Sequence, residues 1–281
     1  MKKIISILLV LIMAASIFTL CSCTKSPDDG EQDTDIKNNE VTDDLAYIKG
    51  NGKLVIGYTL YNPMNYEDEN GEFVGFDTEF AKAVCEKLGV TPEFVLINWD
   101  TKEIELNAKS IDCIWNGFTI TDERKENLSF SVPYIENKQV VIIKSADAEK
   151  YTDTASLASA NLVAEVSSAG EDAIAADDNL KNASYTAVQK QTDALLEVKS
   201  GTADAAVLDY TLASAMVGEN TSYSDLQIID GLDLCVEDYG IGFRKGSNAV
   251  EEVNKAIEEL KKDGTLEKIA EKYDLQAILL K

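Results

Sequence analysis

The sequence contains no histidine. Every nucleophilic mechanism built on a Ser-His or Cys-His pair is therefore excluded, and so is any metal site with an imidazole ligand. Cations are scarce: 26 Lys and Arg stand against 50 Asp and Glu, for a formal charge of −24. Such a chain lacks the clustered positive charge that grips a nucleic-acid backbone, or that holds a folded body on anionic lipid. Five cysteines are present, but Cys21 and Cys23 close an N-terminal leader. Cys85, Cys113 and Cys235 remain, an odd set without metal-ligand spacing, so neither a disulfide framework nor a metal centre is expected. No motif calls for a cofactor. There are four prolines and no long Gly/Ser/Pro linker. What is present is 281 residues, 45% hydrophobic and 27% charged. That is a globular chain long enough for about two domains.

The first residues carry an address. Met1-Lys2-Lys3 is a short basic start, and Ile4 to Leu20 is apolar apart from Ser6, Ser16 and Thr19. This is the pattern of a signal peptide. An uncleaved membrane helix is the alternative, but the run is short for a bilayer and ends in small and polar residues. Leu20-Cys21-Ser22-Cys23 resembles the lipobox of bacterial lipoproteins, with Cys23 in the register of the acylated cysteine. The resemblance implies cleavage after residue 22 and a lipid on Cys23. Cleavage would remove Lys2 and Lys3 and move the charge from −24 to −26. Residues 23–44 follow, and Thr24 to Asp44 holds eight acidic residues and two lysines. That segment reads as a disordered acidic tether, up to roughly 70 Å long when fully extended. The expected location is extracytoplasmic, on the outer face of the plasma membrane or in a periplasm.

The body begins near Leu45. Lys53 to Tyr58 reads as a strand, and Asp68 to Gly71 as a hairpin-like turn. Asp77 precedes a helical apolar pattern at Phe80, Ala81, Val84, Cys85 and Leu88 that Gly89 stops, which suits an N-cap or first-turn acid. Strands follow at Pro92–Ile97 and Ile111–Trp115, with a helix at Lys102–Lys109 between them. Cys85, Cys113 and Trp115 read as core. After a buried strand at Gln139–Ile143 the alternation restarts. Leu162–Glu165 and Ala203–Leu208 are strands, while Thr192–Val198 and Tyr210–Val217 are helices. Two more helices, Asn248–Leu260 and Leu266–Tyr273, end the chain. Alternating strands and helices imply α/β units with mainly parallel sheets, and two such units imply two lobes. The crossovers are expected near Ile142–Lys144 and Val236–Gly240. Residues 45–143 and 239–281 then form one lobe, and 144–238 the other.

Three stretches carry a more specific pattern: GYTLYNPMNYEDENGEFVGFDTEFAKAV (Gly57 to Val84), WDTKEIELNAKSIDCIWNGFTITDER (Trp99 to Arg124) and GTADAAVLD (Gly201 to Asp209). Together they resemble the polar amino-acid family (family 3) of extracellular solute-binding proteins, the lipoprotein-type capture subunits of ABC importers. The resemblance covers about Lys53 to Tyr273. It implies a two-lobed periplasmic-binding-protein-like fold of type II, with helix-flanked sheets and a ligand cleft between the lobes. It also implies hinge closure on a free amino acid, delivery to permease subunits, a monomer, and no catalysis.

The residues themselves suit that ligand. A guanidinium can bind a carboxylate in a planar fork, but on residue type alone Arg124 reads rather as a surface partner of Asp122 or Glu123; the resemblance implies instead that it is the carboxylate ligand. Asn116, Gly117 and Thr119 follow a strand end, where ligands of open α/β sheets bind. By resemblance, this corner receives both the ammonium and the carboxylate. Asp209 ends a strand and suits the ammonium, or else caps the next helix. Ser168 opens a helix whose free N–H groups suit a carboxylate. Ser167 stands where relatives usually have glycine, which leaves the local loop shape open. By resemblance, Tyr61 and Trp99 wall the pocket, and Met64, where phenylalanine is more usual, softens it. Glu103, Glu105 and Glu165 bear on specificity. A buried Glu165 would favour a cationic or amide side chain, while a solvated or salt-bridged glutamate is the plainer alternative. The candidates are polar amino acids, with cystine and the basic or amide amino acids among them. Two other functions fit the same fold: a carboxylate-dependent dehydratase or lyase, and a ligand sensor without transport.

Overall fold

The computed structural model describes residues 43–281. The signal peptide, Cys21, Cys23 and the tether up to residue 42 lie outside the described residues. The body opens on α1 (Asp44–Asn51), whose N-cap Asp43 accepts from the Ala46 N–H. Strand β1 (Lys53–Tyr58), the short hairpin β2 (Tyr66–Glu67) and β3 (Phe73–Val74), helix α2 (Phe76–Leu88) and strand β4 (Thr91–Leu96) follow. A 3₁₀ turn at Trp99–Thr101 leads into α3 (Lys102–Asn107), then β5 (Cys113–Ile114), α4 (Asp122–Asn127) and β6 (Leu128–Phe130). The second half holds β7 (Ile135–Lys144), β8 (Asn161–Glu165), α5 (Ala169–Ala176), β9 (Ser184–Val188), α6 (Gln191–Ser200), β10 (Ala205–Asp209), α7 (Tyr210–Met216) and β11 (Leu226–Tyr239). The chain then returns through β12 (Gly242–Arg244), α8 (Ala249–Lys262) and α9 (Thr265–Lys272).

These strands form two five-stranded sheets, ordered β4-β1-β5-β12-β6 and β11-β7-β10-β8-β9. Each is mixed rather than mainly parallel. β1 pairs in parallel with β4 and β5, but β12 returns from the other sheet and runs antiparallel to β5 and β6. Likewise β10–β8 and β8–β9 are parallel, while β7 is antiparallel to both β10 and β11. The crossing strands account for this, because βαβ units alone would give parallel neighbours.

Strand pairing also moves the first crossover. β7 belongs to the second sheet from Ile135 onward, so the chain changes sheets between Phe130 and Ile135 rather than near Ile142–Lys144. The return runs from Tyr239 to Gly242, close to the expected place. The two crossings are tied together: Tyr134 N donates to Tyr239 O at 3.0 Å, and Ser131 N to Ile241 O at 3.0 Å.

Buried aromatics fill the first half. Phe80 meets Trp115 edge-on at 5.1 Å and Tyr134 at 5.3 Å, between centroids. Cys85 and Cys113 are buried and free, as core residues. The tether boundary needs correction. Asp43 and Asp44 are part of the fold, because Asp44 is buried against Arg244, with Arg244 Nε to Asp44 Oδ2 at 3.0 Å. Arg244 also reaches Asp112 at 3.3 Å and donates to the carbonyls of Leu106 and Ile111 at 3.0 and 2.8 Å. One guanidinium thus ties α1, α3 and the approach to β5 to strand β12. Removing a single partner of a buried pair leaves a bare charge. Arg244→Met is expected to lose about 3–5 kcal/mol of stability in chemical denaturation, and an added Asp44→Asn change should restore part of it.

Candidate functional site

The strand ends of both sheets face one narrow cavity. Its lining includes nine residues singled out from sequence, Tyr61, Trp99, Asn116, Gly117, Thr119, Arg124, Glu165, Ser168 and Asp209. Thr59, Leu60, Ala169, Gln191 and Leu212 complete it. The first sheet supplies the loops after β1 and β5, the Trp99 turn and α4. The second supplies the ends of β8 and β10 and the starts of α5 and α6.

Gly117 forms the floor on the first-sheet side. It adopts φ +55°, and a Cβ there would stand 2.6 Å from the Tyr61 ring. Its N–H donates to Asp77 Oδ2 at 2.7 Å. Asp77 is thus a first-turn acid of α2, one of the two expected roles, and not its cap. The N-cap of α2 is Gly75, at φ 132°, where a Cβ would meet Met64 O at 2.1 Å, and the Asp77 carboxyl lies fully buried under the floor. Asn116 is committed as well: Nδ2 donates to Thr59 O and Asn65 Oδ1, and Oδ1 accepts from Thr59 Oγ1 at 2.7 Å. Its side chain staples the loop after β1 rather than reaching for a ligand. The Tyr61 hydroxyl lies 2.7 Å from that of Tyr239, at the second crossing. Met64 is fully buried in the core and outside the cavity lining.

Arg124 is 8% exposed and stacks on Phe118, with Cζ 4.8 Å from the ring centroid. Nη1 donates to Thr119 O at 2.8 Å, and Nη2 reaches Ser167 O at 3.3 Å on the other side of the cleft. Its neighbour Asp122 pairs with Lys125 instead, so Arg124 is not a surface partner of Asp122. Burial draws the guanidinium's proton affinity down, and the charges of Asp172 and Glu237 work against that fall. Ser167 holds the other rim. It takes the left-handed φ of 58°, keeping the loop shape that glycine would give. Its carbonyl accepts from Lys102 Nζ at 3.0 Å, and its hydroxyl lies 2.8 Å from Asp100 Oδ1. Ser168 caps α5 through the Glu171 N–H at 3.2 Å.

The far wall is acidic. Asp209 starts α7 without capping it. Its Oδ1 accepts from Asn137 at 2.8 Å and Gln139 at 2.5 Å, and Oδ2 accepts from Gln191. Glu237 Oε1 accepts from the same two amides at 2.7 and 2.9 Å, and from Thr119 Oγ1 at 3.1 Å. Burial and the Asp209 charge raise the Glu237 carboxyl above the usual range. Glu165 is buried, and its carboxyl makes no hydrogen bond or ion pair among the described residues. Burial first, then Asp209, pushes its carboxyl up to about 8. Of the other two acids expected to matter, Glu103 lies in an outer groove and Glu105 accepts from Thr101, and neither lines the cavity.

Asn137, Gln139, Glu237, Gln191 and Lys102 escaped the sequence reading. Asn137 and Gln139 alternate with the charged Glu136 and Lys138 on β7, and Glu237 pairs opposite Asn137 on β11, so no apolar period marks their face as buried. Gln191 and Lys102 carry no local signal, since only the fold brings them to the cleft. Among the described residues no cluster of His, Cys, Asp and Glu could hold a metal ion, and no helix is long and apolar enough to cross a membrane.

Residues 54–276 match the family described as bacterial extracellular solute-binding proteins, family 3. The chain is 28% identical over 284 residues to the ABC transporter glutamine-binding protein GlnH of Bacillus subtilis, covering 97% of each chain. It resembles the crystal structure of an ABC uptake transporter substrate-binding protein from Streptococcus pneumoniae with bound histidine. There the TM-score is 0.77 at 30% identity, over 85% of this chain and 99% of that one. An ancestral amino-acid-binding protein, described as a precursor of cyclohexadienyl dehydratase, matches at TM-score 0.73 and 32% identity, over 82% and 98% of the two chains.

The buried carboxyls set a pH dependence. Burial pushes Asp77 up to about 7, while the Gly117 N–H opposes the rise. Asp77, Glu165 and Glu237 therefore stay protonated in the fold at pH values where the unfolded chain has already ionised them. The folded state binds more protons across that window, so stability falls as pH rises from roughly 4.5 to 8. The melting temperature of the ligand-free protein is expected to be lower at pH 8 than at pH 5, and Asp77→Asn should flatten the difference. A melting temperature that rises over this range would contradict the assignment.

Proposed function

The chain belongs to the family 3 bacterial extracellular solute-binding proteins, and on that ground we propose that it captures a free amino acid between two lobes and delivers it to an ABC transporter. The observation that carries the reading is the convergence of the Arg124 guanidinium and the Asp209 carboxylate on one cavity from opposite sheets. A free amino acid has the complementary pair, a carboxylate and an ammonium a fixed distance apart. In this reading Arg124 and the N–H groups at Thr119 and Ser168 receive the carboxylate. Asp209 receives the ammonium, exchanging an amide partner for a cation. Tyr61 and Trp99 enclose the stem, and Gly117 keeps the floor low.

The lobes are then residues 43–130 with 242–281, and residues 135–239, joined by the paired crossings. A ligand that touches both lobes favours the closed arrangement, because only there does it gain both sets of contacts. The contacts of Lys102, Arg124 and Asp100 with Ser167 already bridge the rim and would support closure. The protein acts outside the cytoplasm as a monomer without turnover, held to the membrane by a lipid on Cys23.

A thermal-shift screen of the full chain in detergent against the twenty amino acids, cystine and ornithine tests the reading, after unfolding and refolding to strip carried-over ligand. A ligand bound only by the folded state must raise the melting temperature. At least one amino acid is expected to do so, and none should be turned over. Arg124→Ala should weaken that binding by about 2–5 kcal/mol, as for one side of a buried charge pair. Unchanged affinity would remove Arg124 from the site. For the anchor, a clickable fatty acid fed to expressing cells should label the wild-type chain and leave Cys23→Ser unlabelled.

A further inference from the structure

Three carboxyls lie at or beside the cavity, and they differ in what they already hold. Asp209 takes three amide donors, from Asn137, Gln139 and Gln191. Glu237 takes two amides and a hydroxyl. Glu165 takes nothing among the described residues, although it is 4% exposed and lines the cavity at the end of β8. The cation that acts on it from the first sheet, Lys102, donates instead to the carbonyls of Trp99 and Ser167, at 3.1 and 3.0 Å, and forms no ion pair with it. A buried carboxyl without a donor is costly, and the cost falls when a donor arrives with the ligand.

Resting on the amino-acid reading above, we propose that Glu165 is the specificity residue of the site and that the ligand is an amino acid with a cationic side chain. Arg124 and Asp209 account for the ligand's carboxylate and ammonium, which leaves Glu165 as the third charged group for a third ligand charge. Tyr61, Trp99, Leu60 and Leu212 line the same cavity and suit the apolar stem between the two ends of such a ligand. The Trp99 face also suits a cation, and Lys102 already lies over it, 4.8 Å from the centroid.

The protonation of Glu165 gives the proposal a second signature. The charged groups acting on the carboxyl are Asp209 at the end of β10, Asp193 and Lys190 at the start of α6, and Lys102 on α3. With burial dominating and its proton affinity raised to about 8, Glu165 is mostly protonated at pH 7 while the cavity is empty. A cationic side chain favours the ionised carboxylate, so binding releases that proton to solvent. A neutral amide side chain would accept a hydrogen bond from the protonated carboxyl and release none.

The test is titration calorimetry at pH 7 on the full chain in detergent, with arginine, lysine, ornithine, glutamine and cystine, in two buffers of different ionisation enthalpy. Wild-type protein is expected to bind a cationic amino acid most tightly and to release a proton on doing so. Glu165→Gln, which keeps shape and removes the charge, should weaken the cationic ligand at least roughly 30-fold, leave glutamine near its wild-type affinity and abolish the proton release. The proposal is overturned if glutamine or cystine binds wild-type protein as tightly as the best cationic amino acid. It is equally overturned if Glu165→Gln leaves the ranking and the proton release unchanged. Those two results leave the amino-acid reading intact. Absence of binding by every amino acid overturns that reading instead, and this proposal with it. Because the ranking on wild-type protein is decisive by itself, a poorly folding variant does not shelter the proposal.

Discussion

One backbone N–H joins the core of this protein to its cavity. Gly117 donates to the buried carboxyl of Asp77, which is carried by α2 and packed among the aromatics around Phe80 and Tyr134. That bond fixes the floor of the cleft, and the left-handed backbone of Gly117 leaves room for the Tyr61 ring above it. The Tyr61 hydroxyl then meets Tyr239 at the second crossing between sheets. Core, floor, wall and crossing form one continuous contact path. Geometry at the cavity therefore depends on an interaction made beneath it, by a residue a ligand need never touch.

The opposite wall solves a different problem. Asp209 stands close enough to Glu237 to raise that carboxyl's hold on its proton, and the amides of Asn137 and Gln139 bridge the two acids. Side-chain amides donate two hydrogens each and carry no charge, so they hold acids in place without neutralising them. A cation entering the cleft finds carboxyls already held in position by neutral amides. Lys102 and Arg124, by contrast, spend donors on backbone carbonyls at the rim, where they span the cleft.

Much of this was legible in the sequence. Strand β1 is present as Lys53–Tyr58, and the hairpin turn at Asp68–Gly71 joins β2 and β3, because hydrophobic alternation and turn residues act locally. The candidate site residues also share one cavity, since each lies in a motif next to a strand end. What stayed hidden is non-local. The long strand β11 lies where the sequence showed only a crossover near Val236–Gly240, and pairing with β7 makes it a strand. Asp77 looks like a helix cap because its true partner lies forty residues away. Asp44 looks like tether because Arg244, its partner, lies two hundred residues away.

The Arg244 cluster also bears on how the body carries load. Residues before Asp43 join the fold at α1, and Asp44 is the point at which α1 is fastened by charge. A pull along the N-terminal chain passes through Asp44 into Arg244, and from there into the middle of the first sheet through β12 and the neighbouring carbonyls of Leu106 and Ile111. The force enters the stiff centre of one half, and neither of the paired crossings lies between the point of attachment and that centre. The charge contacts of α1 thus lead into the first sheet without passing through either of the paired crossings.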